Sequence, residues 1–105
     1  MAWLLLVAAG LLEIVWATAL KQSDGLSRPV PAAVAIVAAV VSFVLLAAAL
    51  ARLPVGTAYA VWVGIGAAGV AAAGVVAFGD EATLARGAFV ALIVAGVLGL
   101  RLSGA

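Results

Sequence analysis

The sequence predicts an all-α membrane protein, a single domain over residues 1–105 built from four transmembrane helices. Three observations predict it. Seventy per cent of the 105 residues are hydrophobic, and only five are Lys or Arg and four Asp or Glu; ordinary globular domains carry about 25% charged residues. The apolar residues fall into four runs, each near the roughly 20 residues that a helix needs to cross a bilayer. The stretches between the runs are short and polar, and none can hold a soluble domain.

The first span covers about residues 3–20, Trp3 to Leu20, with Glu13 as its one charged residue. Met1 is followed at once by apolar residues with no basic segment, so this run is read as a retained helix, not a cleaved signal peptide. Lys21 to Arg28 form the first connection. Pro29 and Pro31 then suit a helix start, where a missing N–H does no harm. The second span covers about 32–50, with Ser42 as its one polar residue. Arg52, Pro54 and Gly56 mark a tight turn into the third span, about 55–78. Gly79 to Thr83 break that run, and Thr83 is a candidate N-cap for the fourth span, about 84–102. Arg86 and Arg101 lie near the ends of the last helix, from where their long side chains reach the headgroups.

Composition also excludes much chemistry. The chain has no Cys and no His, so disulfides, thiol or imidazole nucleophiles and zinc sites are out. The net charge of +1 offers no footprint for nucleic acid. No nucleophile, metal cluster or phosphate loop is evident; neither enzyme activity nor a cofactor or metal is expected. The expected partners are the lipid bilayer and whatever binds inside it.

The basic residues are nearly balanced between the two sides. Lys21, Arg28 and Arg86 fall on one side, Arg52 and Arg101 on the other. Cytoplasmic loops normally carry a clear excess of Lys and Arg. The balance leaves two readings: dual topology with antiparallel pairing, or a fixed orientation set by Lys21 and Arg28.

Glu13 is the decisive residue. It lies ten residues beyond Trp3, about 15 Å along a helix, near the middle of a roughly 30 Å hydrocarbon core. An ionisable group there costs at least about 2.5–3.5 kcal/mol. The other acids, Asp24, Asp80 and Glu81, all lie in connections. No basic residue sits at matching depth in another span. Desolvation disfavours the charged carboxylate, so its charge must be balanced by a proton or a bound cation. One site cannot hold both well, and loading the cation expels the proton. The alternative is a permanently protonated Glu serving as a strut between helices.

Gly10, Glu13, Trp16 and Ala17 share one face of the first helix. Gly10 leaves room beside the carboxylate. Trp16 either donates its indole N–H to the site or simply packs. Tyr59, Trp62 and Gly66 share a face of the third helix, and aromatic faces hold cations through their ring quadrupoles. Ser42, at mid-depth, is placed to orient Glu13 or to bond backbone. Gly64 and Gly66 offer either a hinge or close packing. The chain holds 28 Ala and 12 Gly. Among them Gly87, Ala91, Ala95 and Gly99 form a stripe on the fourth helix, a dimer contact by type although small residues are common enough here to align by chance.

The segments GLLEIVWATALKQSDG (Gly10 to Gly25) and LPVGTAYAVWVGIGA (Leu53 to Ala67) resemble the small multidrug resistance family, and length, span number and lone membrane carboxylate agree over the whole chain. The resemblance implies an antiparallel homodimer in the bacterial inner membrane. In it, protons and a cationic substrate compete for two carboxylates facing one central site. Gly10, Glu13, Trp16, Ser42, Tyr59 and Trp62 match positions used by the guanidinium exporter subtype. By that resemblance Glu13 binds guanidinium and protons; Ser42, Trp16 and Trp62 order the carboxylates; Tyr59 lines the site. Val63 departs from the small hydroxyl residue that many relatives carry there.

The expected function is therefore proton-coupled antiport of guanidinium and small substituted guanidinium or ammonium cations. The chemistry agrees, since guanidinium forks onto carboxylates in bidentate fashion. One alternative is a broad exporter of quaternary ammonium and aromatic drug cations. Others, from different classes, are a proton-carrying rotor subunit, for which two helices suffice, and a structural or helper membrane subunit.

Overall fold

The computed structural model describes residues 1–103. It contains four helices, α1 (Ala2–Gln22), α2 (Pro29–Leu50), α3 (Val55–Phe78) and α4 (Leu84–Leu102). Each is 19 to 24 residues long and apolar enough to cross a membrane. Two helices extend beyond the expected spans. α1 runs on through Lys21 and Gln22, where a cation in the last turn complements the helix dipole. α2 starts at Pro29 itself, because proline is pre-set for the first helical position.

The connections are tight and locally satisfied. After α1, Ser23 Oγ donates to Leu20 O at 2.6 Å and accepts from Leu26 N at 3.1 Å. That bond stabilises a turn in which Asp24, Gly25 and Leu26 all take positive φ. α3 ends on Gly79 at φ 70, a left-handed stop that glycine adopts without steric cost. Thr83 caps α4 by accepting from Arg86 N at 3.1 Å, and the Arg86 guanidinium donates to Glu81 O at 2.6 Å.

α1 packs against both α2 and α3, which also touch each other, and α4 packs mainly against α3 at the side of this three-helix cluster. The Cα extents are 41 × 34 × 16 Å. Since Cα atoms lie about 2.3 Å from a helix axis, the short dimension corresponds to two helices packed about 8–10 Å apart. The radius of gyration, 14.4 Å, exceeds the roughly 13 Å of a globular chain this long. The core lies where α1, α2 and α3 meet, around Leu6, Ala9, Leu46, Ala49, Ala58, Val61 and Trp62. α4 contributes no buried residue.

Small residues let α1 and α3 approach closely. Gly10 admits the side chain of Ile65: a Cβ there would lie 2.8 Å from Ile65 Cγ2. In return, Gly66 and Gly69 of α3 admit Glu13 and Ile14, whose side chains occupy the space where a Cβ would stand. Without a hydrophobic driving force between helices in lipid, such backbone proximity is what holds spans together.

Candidate functional site

Glu13 sits in the middle of α1, eleven positions after its first residue and nine before its last. Its carboxylate lies against Gly66 of α3. The side chain is half-buried, and among the described residues no hydrogen bond or charge partner engages it. The helix spacing explains the placement. Gly66 falls one turn beyond Trp62 and so turns the same flank of α3 towards α1.

Beside it lies a buried polar chain. Trp62 Nε1 donates to Ser42 Oγ at 3.1 Å, and Ser42 Oγ donates to Ala9 O at 2.7 Å. Three helices are tied by two bonds. Ala9 O is also the carbonyl that receives the Glu13 backbone N–H under the helical i to i−4 rule. The chain therefore ends on the backbone turn that carries the carboxylate. Ser42 is fully buried and Trp62 4% exposed, so the satisfied hydroxyl removes the cost of stranding an indole N–H.

Trp62 is held between two rings. Tyr59 meets it edge-on at 5.2 Å between centroids, and Phe43 meets it at 5.3 Å and 57°. Tyr59 itself is 52% exposed, so the aromatic group opens outward on one side. Trp16, one turn beyond Glu13, holds a buried Nε1 that has no hydrogen-bond partner among the described residues.

The structure thus sets Glu13 of α1 against Gly66 of α3, joins Ser42 of α2 to Trp62 and the α1 backbone, and stacks Tyr59 on Trp62, with Trp16 following Glu13 on α1. Its details differ from expectation in two ways. The space beside Gly10 belongs to Ile65, and the glycine that admits the carboxylate is Gly66. Ser42 bonds the α1 backbone and Trp62, not Glu13. Gly64 lies against α4, where a Cβ would come 2.6 Å from Val97 Cγ2, and α3 stays helical through both glycines. Gly87, Ala91, Ala95 and Gly99 are all exposed on α4. Sequence reasoning missed Phe43, Gly69 and the Ala9 carbonyl. Phe43 adjoins Ser42, and Gly69 follows Gly66 at the three-residue helical step, so spacing alone could have pointed to both.

Four apolar helices, with one carboxylate side chain among all their residues, define a multi-pass membrane protein with an ionisable site at mid-depth. The family model described as Small Multidrug Resistance protein matches residues 1–93, and the chain belongs to that family. It is a multi-pass transporter of the bacterial inner membrane. Curated relatives cover nearly all of it. The chain is 54% identical to the "Guanidinium exporter" of Escherichia coli (strain K12) over 103 residues, 98% of each chain. It is 53% identical to the protein of that name from Yersinia pseudotuberculosis, covering 98% of this chain and 99% of the relative. With that of Salmonella typhimurium the identity is 52%, over 98% of both.

Proposed function

We propose that this chain exports guanidinium-type cations in exchange for protons, through a site that two antiparallel copies share. One observation carries the reading: Glu13, the single acidic residue in any of the four helices, is set against Gly66 at mid-depth with no charge partner among the described residues. Similarity above 50% to proteins named guanidinium exporters supports the choice of cation. A planar cation with in-plane N–H donors suits a carboxylate in bidentate geometry.

In this mechanism the cation and the proton are alternative counterions. Guanidinium arrives at Glu13, the proton leaves, and reprotonation on the far side releases the cation. Tyr59 and Trp62 line the approach, with Trp62 held by Ser42 and flanked by Phe43. The unpartnered Trp16 N–H is a donor available to a carboxylate, and an unmet buried donor costs about 1–3 kcal/mol. Gly64 and Gly66 are the positions at which α3 would bend between states.

Shape supports a shared site. α4 stands outside the three-helix core with no buried residue, and Glu13 stays half-open. A second copy would close that flank. The exposed Gly87, Ala91, Ala95 and Gly99 stripe, on a helix without buried residues, suits the contact. The near balance of basic residues between the two ends suits antiparallel insertion.

The test is transport in proteoliposomes. Guanidinium added outside should release an imposed proton gradient, and a bulky aromatic cation should do so weakly. Dissipation by the aromatic cation alone would favour the broad drug exporter, and no dissipation by either would reject coupled exchange.

A further inference from the structure

We propose that the crevice between α1, α3 and α4 binds an anionic phospholipid, with an acyl chain inside it and the phosphate on Arg101. The crevice exists because α4 packs mainly against α3 and reaches α1 through Arg101 over Trp3, leaving a wedge between them. It has a volume of about 620 Å³, inside the roughly 300–1,000 Å³ range of ligand sites. Leu4, Val7, Ile65, Ala68, Val94 and Leu98 wall it, and Arg101 stands at one end. Seven helical steps separate Val94 from Arg101, roughly 10 Å of apolar wall. No wall residue carries a side-chain hydrogen-bonding group except Trp3 and Arg101, both at that end.

Arg101 is poised for an anion. Its Cζ lies 5.0 Å over the Trp3 ring, a cation–π contact beside which guanidinium N–H donors remain for another partner. Among the described residues no hydrogen bond or ion pair occupies them. The ring also fits an interfacial depth, where Trp is enriched. Charge complementarity selects the headgroup. Arg52 and Arg101 are the charged side chains of this end, whereas Asp24, Asp80 and Glu81 belong to connections at the other end. The crevice of about 440 Å³ at that opposite end is lined by Asp80 and Glu81 as well as Arg86, and its mixed charge gives an anion no preference. This inference does not depend on which ion is transported.

The test uses the full chain in detergent and compares retention of phosphatidylglycerol with phosphatidylcholine of the same acyl chains by native mass spectrometry. Phosphatidylglycerol should be held roughly five- to tenfold more tightly. Arg101→Gln should erase that preference. Val94→Phe, which fills the crevice and leaves Arg101 in place, should weaken retention of both lipids. Equal retention by the wild-type protein, or tight phosphatidylglycerol binding that survives both substitutions, would overturn the assignment.

Discussion

A methyl group added at Gly66 should impair cation binding far more than it impairs folding. The Cβ of Gly66→Ala would fall on the Glu13 carboxylate. The obstructing atoms are the end of a flexible side chain that is half-open, so Glu13 can swing aside at a rotamer cost of about 0.5–1.5 kcal/mol. Replacing a mid-helix glycine by alanine returns up to about 1 kcal/mol of helix propensity. The net stability change should lie within about 1 kcal/mol of zero. The carboxylate, however, leaves the position set by Gly66. A charge-assisted hydrogen bond contributes about 1.5–3 kcal/mol, so guanidinium affinity should fall about tenfold or more. Gly69→Ala is the matched control. Its Cβ would strike the end of Ile14, one residue from Glu13 but pointing elsewhere, and overpacking of that kind costs about 1–3 kcal/mol. It should lower thermal stability at least as much as Gly66→Ala while changing affinity less than threefold. Guanidinium titrations followed by fluorescence of the three tryptophans, with thermal unfolding in the same detergent, give both numbers. Wild-type affinity in Gly66→Ala, or equal loss in Gly69→Ala, would refute the argument that Gly66 seats the carboxylate.

Ser42→Ala should strand the Trp62 N–H and release α2 from Ala9 O, lowering stability by about 1–2 kcal/mol and weakening guanidinium binding; unchanged unfolding and affinity would remove the hydroxyl from the site. Thr83→Ala deletes the α4 cap and should cost about 1 kcal/mol, seen as earlier unfolding with transport intact. Ala95→Phe, placed in the exposed α4 stripe, should shift the protein towards monomer in cross-linking and abolish uptake in parallel, whereas an undisturbed dimer would show that the stripe is not the contact.

The four helices were legible because hydrocarbon thickness sets their length and every charged residue but Glu13 lies in a connection or in the terminal turn of a helix. Glu13 was legible for the same reason, as a charge where only apolar residues belong. What could not be read was which glycine serves which neighbour. Gly10 and Gly66 both lie on site-bearing faces, and only the relative rotation of α1 and α3 decides that Ile65 fills the first and Glu13 the second. The partner of Ser42 was equally hidden, since its choice of Ala9 O over the carboxylate depends on helix register. Phe43 escaped notice because its one signal is adjacency to Ser42, and its stacking on Trp62 depends on how α2 and α3 meet. The Arg101–Trp3 contact joins the two ends of the chain, a pairing that no local pattern encodes.

The central claim is that Glu13 trades a proton for the cation. Proton release from the purified protein on adding guanidinium in weakly buffered detergent solution measures that exchange directly. The wild-type protein should release protons in saturable fashion at a pH where Glu13 starts protonated, and Glu13→Gln, which keeps the shape but cannot ionise, should release none. Release of equal size from Glu13→Gln, or none from the wild type at any pH at which guanidinium binds, would contradict the account.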